Sequence, residues 1–256
     1  LKTQVMSDLL QMLDMPFFRR ALAAAALIGF TNGFVSGFVL LRRSSLTLSA
    51  LSHTLLPGIV VVVLITGVLN QAGAFTGALL ASLIVGIASI TVTRYTRLPQ
   101  STAIAIFYTA AVALGVILIP YAHTSQNLEQ WLFGTIQTMG DTDLKVFFGI
   151  ACFTLMSSTL FMRPLLLTLF EPNVAAVQGV NVRRMNYLLY TLMIFALMAS
   201  FQAVGPILSI GLLVAPGAII SLFTNNTKWL FWGGGIIGCV AAVLAVIISI
   251  PLNIPT

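Results

Sequence analysis

The sequence predicts an all-α, polytopic membrane protein, and three observations carry that prediction. Hydrophobic residues make up 59% of its 256 positions and charged ones only 7%, against roughly a quarter charged in an ordinary soluble domain. The mean hydropathy is +1.05. Apolar stretches run unbroken for the roughly 20 residues that a membrane-crossing helix needs, rather than alternating over the roughly 10 of an outer-membrane strand.

Dividing the chain at charges, prolines and polar clusters gives about eight spans: Ala21–Leu41, Leu46–Val68, Gly73–Val92, Ala103–Ile119, Leu144–Leu160, Tyr187–Phe201, Gly205–Phe223 and Trp229–Ile250. Ahead of the first, residues 1–20 carry Val5, Leu9, Leu10, Leu13 and Phe17 and read as an interfacial amphipathic helix. They contain acids and lack the basic-then-apolar order of a signal peptide. No linker or shift in composition divides residues 1–256, so they read as one transmembrane domain. The last residues, Ile254-Pro255-Thr256, follow a complete span, an ending that also suits a further helix.

Basic residues set the expected orientation. Arg42 and Arg43, Arg94 and Arg97, Arg163, Arg183 and Arg184, and Lys228 fall in alternate loops, which places those loops in the cytoplasm and the N-terminus outside. Arg19 and Arg20 dissent from this parity. The net charge of +6 is thus topology rather than a nucleic-acid footprint. Cys152 and Cys239 lack metal or disulfide spacing and read as small buried hydrophobes.

The sequence lacks the machinery of an engine. It has no phosphate-binding Gly-Lys loop, no nucleophile elbow and no His-Glu-x-x-His pair, so neither ATP hydrolysis by that route nor intramembrane hydrolysis is expected. Asp8, Asp14, Glu129, Asp141, Asp143 and Glu171 all fall outside the spans, which argues against a carboxylate relay of the pump kind.

Two stretches stand out against this background. In Leu46-Thr-Leu-Ser-Ala-Leu-Ser-His-Thr-Leu-Leu-Pro-Gly58, one of the chain's two histidines lies inside a span, where an ionisable group marks a functional path by default. Ser49 and His53, four residues apart, share a helix face, with Ser52 and Thr54 on adjoining ones. Imidazole is a strong ligand for borderline metals and a hydroxyl a poor one, so a hydrogen bond between helices is the competing explanation for His53. Pro57, Gly58 and Pro216 are kink or hinge candidates. His123, in the outer loop, reads as a solvated residue. In Phe170-Glu-Pro-Asn-Val-Ala-Ala-Val-Gln-Gly179, Pro172 suits the first turn of a helix, Glu171 complements its N-terminus and Gly179 its stop. A short cytoplasmic helix over residues 171–180 follows, either a plain connector or a knob for a soluble partner.

These residues resemble the membrane subunits of bacterial ABC importers for zinc, manganese and iron, the metal class of type II importers. That family's pattern is an Arg-Arg pair followed by Gly-Asp-x-Leu-Ser-His-x-x-Leu-Pro-Gly; here Arg42-Arg43 precede Leu48-Ser49-Ala50-Leu51-Ser52-His53-Thr54-Leu55-Leu56-Pro57-Gly58. Ala113-Leu114-Gly115-Val116, Leu132-Phe133-Gly134, Glu171-Pro172 with Ala175 and Gly179, Val204-Gly205 with Leu208, and Leu213-Val214-Ala215-Pro216 follow in order.

The resemblance implies a non-catalytic permease in the bacterial cytoplasmic membrane that binds no cofactor of its own. ATP and Mg would be used by a cytosolic ATPase dimer. It further implies a second copy of the permease or a close paralogue, an extracytoplasmic metal-binding protein, and contact with lipid but not nucleic acid. His53 and position 49 would meet the metal; Glu171, Pro172, Ala175 and Gly179 would form the coupling helix. Ser49 departs from the family's aspartate, and losing that carboxylate removes a hard anionic ligand. A softer metal held by paired His53 residues, or a chelated metal or uncharged ligand that needs no carboxylate, would accommodate the change. A secondary transporter or channel working without an ATPase, an importer of a non-metal ligand, and an exporter or scaffold subunit are the rival readings.

Overall fold

The computed structural model describes residues 16–67, 71–121 and 141–252. Among them every regular element is helical: α1 (Pro16–Leu41), α2 (Ser45–His53), α3 (Leu55–Thr66), α4 (Gln71–Tyr95), α5 (Gln100–Leu118) with a 3₁₀ turn (Ile119–Tyr121), α6 (Asp141–Leu160), α7 (Met162–Phe170), α8 (Pro172–Val177), α9 (Val182–Phe223) and α10 (Thr227–Leu252). Among the described residues seven stretches are long and apolar enough to cross a membrane, and Leu208–Phe223 is a shorter apolar helix, close to the eight spans expected. The amphipathic signal of Val5 to Leu13, the loop carrying His123 and Glu129, Leu132-Phe133-Gly134 and the last four residues lie outside the described residues.

Local chemistry places the ends. The described part of α1 starts at Pro16. The helix closes with Arg43 at φ 54°; the Ser44 and Arg43 amides return to the Val39 and Leu40 carbonyls. This left-handed cap is usually given to glycine.

The expected span Leu46–Val68 matches one apolar stretch, Ser45–Thr66, made of two helices, α2 and α3, parted at Thr54, three residues before the kink candidate Pro57. Pro57 has no N–H for the His53 carbonyl four residues back, and its ring crowds that carbonyl. The Thr54 amide turns instead to Leu51 O at 3.1 Å.

A second break is sharper. Within α9, Gly205 takes φ 79° and ψ 172°, a conformation only glycine adopts readily, directly before Pro206, which itself disfavours helix in the preceding residue. The chain reverses there. Asn186 meets Arg42 at the end of α1, and Gln202 meets Asp143 at the start of α6. Beyond the break, Leu212 returns beside Ala25 and Ile28, and a Cβ at Gly217 would touch Ser36 Oγ at 2.7 Å.

In lipid, apolar burial gives helices little reason to associate, so close packing must do it. The crossing of α1 and α10 is built that way: a Cβ at Gly33 would collide with the Gly234 carbonyl, and one at Gly29 with that of Gly238. Phe231 then fills the space beside Phe34 and Phe38, ring centroids 5.4 and 4.5 Å away.

Two polar ends follow. At one, Arg42 donates to Asn186 Oδ1 (2.9 Å) and Gln100 Oε1 (3.1 Å) and lies 4.5 Å over the Tyr190 ring, while Arg94 lies over Tyr187. At the other, Arg20 makes a two-pronged ion pair with Asp141, at 2.7 and 2.9 Å. Arg20, one of the two residues that dissent from the count of basic loops, is therefore a compensated charge.

Candidate translocation site

The break at Thr54 leaves His53 as the last residue of α2, exposed on the surface of the chain. Leu46, Ser49, Ala50 and His53 fall at i, i+3, i+4 and i+7, one face of a helix. Across from them α5 offers Ser101, Ile104, Ala105 and Tyr108 at the same spacing. Together with Thr47 these residues line an open cavity of about 270 Å³. The His53 and Tyr108 rings stand 6.2 Å apart, tilted by 32°.

The cavity thus unites the two path residues expected from sequence, Ser49 and His53, and adds Ser101 and Tyr108. Neither was singled out from sequence, although Ser101, Ala105 and Tyr108 recur at helical spacing straight after Pro99, where α5 begins. Its remaining polar groups are hydroxyls. Among the described residues no three His, Cys, Asp or Glu side chains cluster in a way that could hold a metal ion.

Ser52 and Thr54 are placed elsewhere. Ser52 is 3% exposed and donates to the Ser49 carbonyl at 2.7 Å. Thr54 is fully buried, bonded to Leu51 O at 2.7 Å and paired with Ser82 Oγ at 3.0 Å. Both brace the break rather than face the cavity.

Pro57 and Gly58 hold the break from its far side. A Cβ on Gly115 of α5 would meet Pro57 Cβ at 2.7 Å, and one on Gly58 would collide with the Gly77 carbonyl of α4. The kink is therefore pinned on two faces by glycines of neighbouring helices. Pro216 is buried in the returning half of α9. With Leu212, Ala25, Ile28 and Val246 it borders an apolar cavity of about 290 Å³, separate from the first.

The segment 171–180 folds as the sequence dictates. Glu171 precedes Pro172 at the first position of α8, Gly179 takes φ 80°, and the Val180 and Gly179 amides cap the Ala175 and Ala176 carbonyls at 2.9 and 3.1 Å, a complete Schellman stop. Ala175 is fully buried, while Val174 and Val177 are 42% and 89% exposed. Beside this helix a groove of about 610 Å³ is lined by Arg163, Leu167, Phe170, Gln178 and Val180.

Helices long and apolar enough to cross a membrane, a polar cavity at a broken helix and a short capped helix outside the spans are the features of a polytopic membrane protein. The chain belongs to the ABC 3 transport family, whose model matches residues 14–256. It is 35% identical over 241 residues to the manganese transport system membrane protein MntC of Halalkalibacterium halodurans, covering 94% of this chain and 81% of that one. It is 32% identical over 238 residues to the chelated iron transport system membrane protein YfeD of Yersinia pestis, covering 93% and 78%. Among solved structures, PsaBC from Streptococcus pneumoniae in complex with Fab matches with a TM-score of 0.83 and 31% identity, covering 98% of this chain and 89% of that one.

Proposed function

We propose that this chain is the membrane permease of an ATP-driven importer that carries a transition metal ion (zinc, manganese or iron), or its chelate, across the bacterial cytoplasmic membrane. The observation that carries the reading is the helix break that sets His53 at the end of α2, on one wall of a cavity with Ser49 and opposite Tyr108 of α5. Family membership and the manganese and chelated-iron relatives supply the class of cargo.

The chain catalyses nothing itself. ATP and Mg are handled by a cytosolic ATPase dimer, onto which α8 docks as the coupling helix: Ala175 fastens it to the bundle while Val174 and Val177 face outward. Movement of the ATPases is passed through α7 and α9, which flank α8, and shifts the helices between outward and inward states. A second permease chain completes the path, and an extracytoplasmic metal-binding protein delivers cargo. The Arg42 end is cytoplasmic, so the N-terminus lies outside, with Arg20 neutralised by Asp141.

A self-sufficient secondary transporter would call for an intramembrane carboxylate. Among the described acids, Asp141 and Asp143 sit in the first turn of α6 and Glu171 at the start of α8. The test is uptake by proteoliposomes holding the chain with its ATPase. Uptake must stop without ATP, and Glu171→Lys must uncouple hydrolysis from transport while the complex still forms. Uptake that persists without the ATPase rejects the proposal.

A further inference from the structure

The residues of the cavity say more about the cargo than the family does. Its lining groups capable of meeting a solute are the Ser49, Ser101, Thr47 and Tyr108 hydroxyls and the His53 imidazole. Every one of them is uncharged when the imidazole is neutral. No described carboxylate is available to offset a cation there: Asp141 is held by Arg20 and Asp143 by Gln202, both at the opposite end of the bundle, and Glu171 stands at the start of α8. A fixed positive charge stands at the start of this wall, for Arg42 is bound to Gln100, the residue adjoining Ser101.

Stripping water from a bare divalent ion is strongly unfavourable in a low-dielectric site unless anionic ligands replace it. Neutral hydroxyls and one imidazole are a poor replacement, and a nearby guanidinium worsens the balance. The cavity is also oversized for a naked ion: about 270 Å³, against the roughly 10–15 Å³ that admits one water. A metal that arrives inside a complex brings its own anionic oxygens, presents less net positive charge, and fills more of the space. Hydroxyls and an imidazole N–H are suited to donating hydrogen bonds to such oxygens.

We propose that α5 supplies the second wall of the cargo site, with Ser101 and Tyr108 contacting the cargo opposite Ser49 and His53, and that the cargo is a metal complex carrying its own negative charge. This rests on the permease reading above. The α5 hydroxyls then set specificity by bonding to the ligand shell rather than to the metal.

The experiment compares ATP-dependent uptake of ferric citrate with that of bare Mn²⁺ and bare Zn²⁺, in proteoliposomes of the chain with its ATPase and binding protein. Ferric citrate is expected to be taken up at least ten-fold faster than either bare ion. Tyr108→Phe keeps the ring and removes only the hydroxyl; with Ser101→Ala it is expected to raise KM for the complex several-fold. Ser49→Asp is expected to move preference toward bare Mn²⁺.

Bare Mn²⁺ carried as fast as ferric citrate overturns the proposal, as when a second permease chain supplies the missing acid. An unchanged KM in the Tyr108→Phe and Ser101→Ala variants, with His53→Ala inactive, overturns the role of α5 alone. Should His53→Ala also transport normally, the permease cavity itself is refuted, and this inference with it.

Discussion

Two regions of the bundle are built on opposite plans. Where α1 meets α10 and the returning half of α9, glycines let backbones touch, and 72% of the α1 span is buried. Where α2 and α5 line the polar cavity, the main helix is broken and only 17% of the α5 span is buried. The first plan fixes a frame, since backbone contacts allow no side-chain adjustment. The second leaves a polar wall and a helix end uncovered, as a path for a solute requires. Glycine contacts continue as far as the break, where Gly58 meets Gly77 and Gly115 meets Pro57, and stop at the open wall of α2 and α5, which gives the comparison its testable content.

The largest expected effect comes from breaking the frame. Gly33→Val places a Cβ against the Gly234 carbonyl, with Gly234 C and Gly235 Cα at 2.9 and 3.1 Å; none of these atoms can rotate away. The cost should reach or exceed the ~1–3 kcal/mol typical of overpacking, read as a collapse of monodisperse protein in detergent. Gly149→Ala, where nothing lies within 4 Å, is the control and should be neutral or stabilising by up to ~1 kcal/mol.

The cavity side predicts the reverse pattern. Pro57→Ala returns an N–H to the His53 carbonyl, so thermal stability should hold to within ~1 kcal/mol while uptake drops several-fold. A variant that loses stability and uptake together would erase the distinction between the regions.

Asn32 sharpens the comparison from within the frame. It is fully buried, and neither its amide nitrogen nor its oxygen has a partner. Asn32→Leu should therefore raise stability by ~1–3 kcal/mol, measured as a shift in thermal unfolding. The smallest effect belongs to Arg20→Met. That ion pair is 39% and 63% exposed, so its loss should cost at most ~1 kcal/mol.

What the sequence disclosed follows the range of the forces involved. The segment 171–180 was legible at both ends because Pro172 and Gly179 act on their immediate neighbours. The break beside His53 was signalled by Pro57, though not its depth, which depends on the pinning by Gly77 and Gly115. The cap at Arg43 was hidden because arginine is an unusual occupant of a left-handed position. Ser101 and Tyr108 belong to another helix, and nothing near His53 announces which helix will face it. The pairing of Arg20 with Asp141 was not legible, because the two lie 121 residues apart.

The central claim is that cargo passes the wall carrying His53, and one variant addresses it most directly. His53→Ala should assemble with the ATPase, hydrolyse ATP without cargo at the normal rate, and show no ATP-dependent metal uptake into proteoliposomes. Normal uptake of both free and chelated metal by that variant would contradict the account.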